Sequence, residues 1–167
     1  HRAKNAARVL ESTQRMAVQS GASEAGTVAD VYALRTEFFA RHPQGTLADL
    51  VDFMTLDDTN PSSLVSTVRA ARNNARAERN NLTVDVWESL NALWLDVAGQ
   101  TRLPRAAVDR GALLEMVTKQ TTMIAGATQS TLLRDDAYCF LQIGSYLERA
   151  DNTARLLDVK FHRLCPD

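Results

Sequence analysis

Glu148, Asn152 and Arg155 stand four and three residues apart, so on a helix they share one face and meet turn by turn. Gly144 extends this row one turn earlier. A carboxylate beside an amide and a guanidinium suits two kinds of chemistry. Glu148 could serve as a general acid or base, poised by Arg155 and by Arg76 from another helix. Alternatively, the planar fork of Arg155 could hold a carboxylate or an amide-bearing ligand, so that the row binds rather than reacts. The pattern Asn-x-Ala-Arg recurs from Asn5 to Arg8, from Asn73 to Arg76 and from Asn152 to Arg155. Each copy places Asn and Arg one turn apart, with a small Ala that permits close approach of a neighbouring helix. A structural reading stands beside the functional one. Arg8, Arg76 and Arg155 would then meet carboxylates such as Glu148, Asp151 and Asp158 between helices and fix their register.

A second basic feature runs through Val65, Arg69, Arg72, Arg76 and Arg79, one row of a single helix. It would suit phosphate or an acidic partner segment, or it is a solvated, salt-bridged face. The formal net charge of -1 argues against a generally basic surface and so against a nucleic-acid partner. Tests for other chemistry come out poorly. A di-metal bundle site needs Glu-x-x-His on two helices, and the sequence has none. Asp158 and His162 are a lone pair of candidate ligands, too little for a metal site. No glycine-rich phosphate loop, serine elbow or cysteine redox motif is present, so neither a metal nor a cofactor is expected. Trp87 and Trp94, seven apart, read as core or groove wall.

The elements that must position these residues are helical. Ala, Leu and Arg are abundant, against four prolines and seven glycines, and no segment alternates with a two-residue period. A first helix runs to about Ser20, before the break Gly21-Ala22-Ser23; a second covers about 28–41 and stops before Pro43. Leu47, Leu50, Val51, Phe53 and Met54 form a short apolar helix. Asn60 is expected to cap a fourth helix, with Pro61 in its first turn, running to about Leu82 and burying Leu64, Val68, Ala71, Ala75 and Leu82. Thr83 or Asp85 caps a fifth that ends near Gly99, and Pro104 opens a sixth that reaches about Leu133. Asp135 and Asp136 suit the start of the last helix. There Phe140, Ile143, Leu147, Ala150, Ala154, Leu157, Phe161 and Leu164 alternate three- and four-residue steps, a seam expected to face the core. The expected fold is an all-α bundle of long antiparallel helices forming one domain over 1–167. Cys139 and Cys165 sit too far apart on one predicted helix to pair and read as reduced thiols of a cytoplasmic protein. No apolar stretch reaches membrane-spanning length.

The last helix also repeats the first. Residues 2–11 align without gaps to residues 149–158, with Arg, Ala, Asn, Ala, Arg and Leu recurring in register. The segment from Leu147 to Asp158 resembles the signature of the bacterial alpha-E domain family. Leu56-Asp57, Asn60-Pro61-Ser62-Ser63, the run from Arg69 to Arg76, and the segment from Thr131 to Tyr138 match it in order and spacing. His1 stands where the family's first signature has Glu, and the chain resembles the first half of such a protein or a shortened relative. The resemblance implies an all-helical domain found beside, or fused to, circularly permuted ATP-grasp ligases and transglutaminase-like proteins. It further implies an accessory role in amide-bond formation or peptide processing, by docking or substrate presentation. Glu148, Asn152, Arg155, Arg72 and Arg76 would serve that role, and self-association is compatible with it. An enzyme of amide chemistry using Glu148 is the alternative.

Overall fold

The computed structural model describes residues 1–20 and 25–164. Among them are eight α-helices, two short 3-10 turns and no strand. The helices are α1 (Arg2–Ser20), α2 (Ala25–Val31), α3 (Arg35–Arg41), α4 (Leu47–Thr55), α5 (Leu64–Ala77), α6 (Val84–Thr101), α7 (Arg110–Thr131) and α8 (Asp136–Leu164). The fold is all-α, as the sequence implies. The expected break at Gly21-Ala22-Ser23 and Cys165 lie outside the described residues, as do the side chains of His162 and Leu164.

Local chemistry explains most helix starts. At α4 the Thr46 hydroxyl accepts from the Asp49 amide at 3.1 Å, and the Asp49 carboxylate accepts from the Thr46 amide at 3.1 Å, a reciprocal capping box. Thr83 caps α6, Asp109 caps α7, and the Tyr138 amide donates to Asp135 at the head of α8. Pro104 opens only a 3-10 turn, so α7 begins at Arg110 rather than at the proline.

Two expectations are corrected. The helix expected over 28–41 is broken at Tyr32–Leu34. Ala33 adopts φ 55°, with its amide donating to Asp30 O at 2.9 Å and the Leu34 amide to Ala29 O at 2.8 Å. That bond pattern is a Schellman stop, which is invisible to apolar spacing because Leu34 and Phe38 stay in step across it. Secondly, the helix expected from Pro61 to about Leu82 starts at Leu64 under a Ser63 cap and ends at Ala77, followed by a 3-10 turn over Arg79–Asn81. Fully buried Asn60 instead accepts from the Ser62 amide and donates to Phe53 O, both at 2.9 Å, fastening the end of α4 to the approach of α5. Along α5, Ala71, expected in the apolar stripe, faces solvent, and Val65, at the head of the basic row, is buried.

Helices α1, α5, α6 and α7 close a ring, each packed on the next, and form a four-helix bundle. Its core includes Ala7, Leu10, Leu64, Val68, Leu93, Val97, Leu114 and Val117. The short helices α2, α3 and α4 cover one end, where Phe38 and Phe53 pack with ring centroids 5.6 Å apart. Arg110 clamps α7 to α4 through both Asp52 oxygens, at 2.8 and 3.1 Å. Arg41 joins Glu37, Asp57 and Thr59, tying α3 to the loop that follows α4. The helix α8 packs on α2, outside the ring. No helix among the described residues is long and apolar enough to cross a membrane.

Two stability predictions follow from this frame. An L-residue in the left-handed region costs roughly 1–2 kcal/mol, and glycine returns part of that gain as chain entropy. Ala33→Gly should therefore stabilise the protein by about 0.5–1 kcal/mol, read as a raised urea midpoint. At Asp57 burial pushes the carboxyl up, but hydrogen bonds from the Thr59 hydroxyl and amide, with the Arg41 charge and hydrogen bond, outweigh it and hold the group below its usual range. Its folded pKa is depressed, so its contribution is present above an unfolded pKa of about 3.9 and is lost as pH falls through the lower folded value. The stability gap between the wild type and Asp57→Asn should be widest near neutrality and shrink below about pH 4. Urea titrations of both proteins at several pH values would check this.

Candidate functional site

The candidate residues fall on two separate parts of the molecule. The first is the crossing of α8 with the start of α1. Glu148 accepts two hydrogen bonds from Arg2, one from Nε at 3.2 Å and one from Nη2. Beside it the Ser145 hydroxyl lies 2.7 Å from Nε2 of His1. Arg155 turns back along its own helix to Asp151, at 2.9 Å. Each of these hydrogen-bonded carboxylates raises the pKa of its arginine. Asn152 is half-buried, as is Asn5 on α1, while Arg8 is exposed. The structure thus brings Glu148 to Arg2, not to Arg8, Arg76 or Arg155 as the sequence pattern suggested.

The second part is the α5/α6 contact. Arg69 lies over the Trp94 ring at 5.7 Å, the Arg72 Nε donates to Asn91 Oδ1 at 3.0 Å, and Arg79, on the 3-10 turn that follows α5, lies over Trp87 at 5.6 Å. The residue numbers fall on one helix as they rise on the other, as antiparallel packing requires. Three arginines of the row are therefore rungs of an inter-helix ladder, in which each cation over an indole contributes about 0.5–1 kcal/mol. Arg76 and Asn73 face solvent. Arg72 and Arg76, which look equivalent in the sequence, are placed differently: one is a rung and the other projects outward.

The mounting of α8 reverses the expectation. Its half-buried residues include Gln142, Ser145, Glu148, Asn152, Leu156 and Val159, a mostly polar face. Its apolar seam faces outward, with Phe140 73%, Ile143 52%, Leu147 65% and Leu157 63% exposed, and Ala150 and Ala154 exposed between them. No described side chain of α8 is fully buried. The periodicity is real, but the bundle is on the other side of the helix. The aligned copy on α1 shows the contrast: Ala3, Ala6, Ala7 and Leu10 are buried, while their counterparts Ala150, Thr153, Ala154 and Leu157 are exposed.

Several partners lie outside the rows that residue spacing picks out, although most carry a signal in the sequence. Arg2 occupies the repeat position of Arg149, directly after the position of Glu148. Asn91 lies between Trp87 and Trp94 at steps of four and three, so the three form one stripe opposite the arginines. Tyr32 had no signal. Its hydroxyl is enclosed without a hydrogen-bond partner among the described residues, and burial pushes its ionisation well above the usual range. Among the described residues no three His, Cys, Asp or Glu side chains gather closely enough to hold a metal ion.

Fold and site together define an all-helical domain built on a repeated Arg-Ala-x-Asn helix. The chain belongs to the Alpha-E family, described as "a predicted alpha-helical domain with a conserved ER motif", whose model matches residues 1–167. Glu148-Arg149 on α8 and Glu78-Arg79 after α5 are Glu-Arg pairs of this sequence. No curated protein and no solved structure matches the chain.

The Glu148–Arg2 pair is partly open to solvent, with side chains 32% and 56% exposed, so screening and side-chain entropy limit its worth. Glu148→Gln should lower stability by less than about 1 kcal/mol, as measured by urea unfolding. A loss of about 3–5 kcal/mol would instead mark a fully desolvated pair.

Proposed function

We propose that this chain is an accessory interaction domain without chemistry of its own. In this reading it acts in the cytoplasm, docking an ATP-grasp-type amide ligase or a transglutaminase-like protein and assisting presentation of its substrate. The observation that carries the reading is the state of Glu148. The one carboxylate placed by its sequence neighbours to act as an acid or base is engaged by Arg2 in two hydrogen bonds. A group so held has a structural use already, and a general acid or base must instead offer its proton or lone pair to a substrate. The other candidate residues are divided between the α1/α8 crossing and the α5/α6 ladder, and do not converge on one reacting atom. The partner class rests on the resemblance of the signature helix and the Asn60-Pro61-Ser62-Ser63 segment to proteins found with such ligases.

Exposed Arg76, with Asn73 and Asn74 beside it, is the surface we assign to docking, since Arg72 is committed to Asn91. Mixed with an ATP-grasp-type ligase, with and without nucleotide, the chain should elute as a complex by light-scattering chromatography. Arg76→Glu should weaken that complex at least about tenfold, because reversing a charge at an interface replaces attraction with repulsion. Glu148→Gln should leave it intact. A complex indifferent to Arg76→Glu would move the docking surface elsewhere, and no complex with the folded chain would sink the partner assignment.

A further inference from the structure

We propose that the outward seam of α8 is a self-association surface, on which a second copy of this chain packs its own α8 antiparallel across a two-fold axis. The inference goes beyond the accessory reading and does not depend on it.

The first observation is the order of residues along the seam. Ile143, Leu147, Ala150, Ala154, Leu157 and Phe161 read as large, large, small, small, large, large, so the row is nearly its own reverse. Turned end for end about a point level with Asn152, it places Ala150 against Ala154 of the partner subunit. Leu147 then meets Leu157 of the partner subunit, and Ile143 meets Phe161 of the partner subunit. Antiparallel helix pairs with a seven-residue repeat form their layers in this way, and a two-fold interface must be self-complementary in this sense. The two alanines at the centre let the helices approach closely, and the larger residues fill the widening space toward the ends.

The second observation is area. Phe140, Ile143, Leu147 and Leu157 are 73%, 52%, 65% and 63% exposed, and Tyr146 beside them is 60% exposed. At on the order of 200 Å² for each large side chain, these five leave roughly 600 Å² of apolar surface on one chain. Two copies would cover about 1,200 Å², which reaches the range of specific protein interfaces.

The third observation is where the helix is held. Half-buried Ser145, Glu148 and Asn152 lie on the opposite face of α8, where Ser145 and Glu148 hydrogen-bond to His1 and Arg2. A partner helix would therefore meet the seam without displacing α2 or the Arg2 pair. Charge is also accommodated. Asp151 would face Asp151 of the partner subunit near the axis, and each carries Arg155 at 2.9 Å to offset the repulsion.

Sedimentation of the full chain from about 1 to 100 µM should give a monomer–dimer equilibrium with a dimer at the upper end. Leu147→Glu should weaken association at least about tenfold while leaving the helical circular dichroism unchanged, since the position is exposed in the folded monomer. Orientation is read by cross-linking in a Cys139→Ser/Cys165→Ser background. The double variant Leu147→Cys/Leu157→Cys should form an inter-chain disulfide on mild oxidation, and Leu147→Cys alone should not. A monomer throughout the range would overturn the proposal and leave the seam to a different helical partner. So would a dimer indifferent to Leu147→Glu. A disulfide through Leu147→Cys alone would overturn the antiparallel arrangement.

Discussion

The bundle depends on how closely α5 and α7 approach α1. The inner face of α1 is Ala3, Ala6, Ala7 and Leu10, all buried, so most of the contact surface is methyl groups. Interaxial distance follows the size of the side chains at a crossing, and alanine permits the short end of the range. Because α6 then closes the ring by packing on both α5 and α7, the spacing set at α1 propagates to Leu93, Val97, Leu114 and Val117. The arginine–tryptophan ladder sits within that constraint. Its rungs need α5 and α6 at one fixed separation and one register, so that Arg69, Arg72 and Arg79 meet Trp94, Asn91 and Trp87 together. The polar contacts then select among registers that the apolar core would tolerate.

Much of this architecture was legible in the sequence. The helical period, the Thr83 cap, the acidic start of α8 and the absence of strand patterning each follow from local chemistry that the fold retains. The missed features have a common cause. The stop at Ala33 and the role of Asn60 are set by backbone bonds that reach across a turn, and spacing of apolar residues does not record them. The same holds for the candidate site. A one-turn spacing of Glu148, Asn152 and Arg155 makes contact available within the helix, but a carboxylate near a second helix is offered several cations and takes one. Arg2 arrives from α1 with its fork aligned to both oxygens, and Arg155 has Asp151 one turn back along its own helix.

The orientation of α8 is the more instructive case. Periodicity measures how strongly a helix is divided into two faces, and it carries no information about which neighbour meets which face. Here the mostly polar face is docked through hydrogen bonds to His1 and Arg2, and the apolar face is left outward. Burying roughly 600 Å² at about 25 cal/mol per Å² is worth on the order of 15 kcal/mol in gross terms, an upper bound before any entropy cost. A seam of that size, kept in strict register over the length of the helix, is poorly explained by the folding of the isolated chain.

The internal repeat sharpens the point. Residues 2–11 and 149–158 share their small and apolar positions, and on α1 those positions are where two helices pack. A shared pattern of Ala, Ala and Leu specifies a shape, a shallow ridge flanked by one bulkier residue, and any helix that fits the ridge on α1 meets the same ridge on α8. In α1 the ridge is filled from within the chain, by α5 and α7. In α8 the ridge is open, with Ala150, Ala154 and Leu157 exposed. The repeat therefore presents one packing surface twice while the fold satisfies it only once, and the open copy is placed where a further helix can reach it.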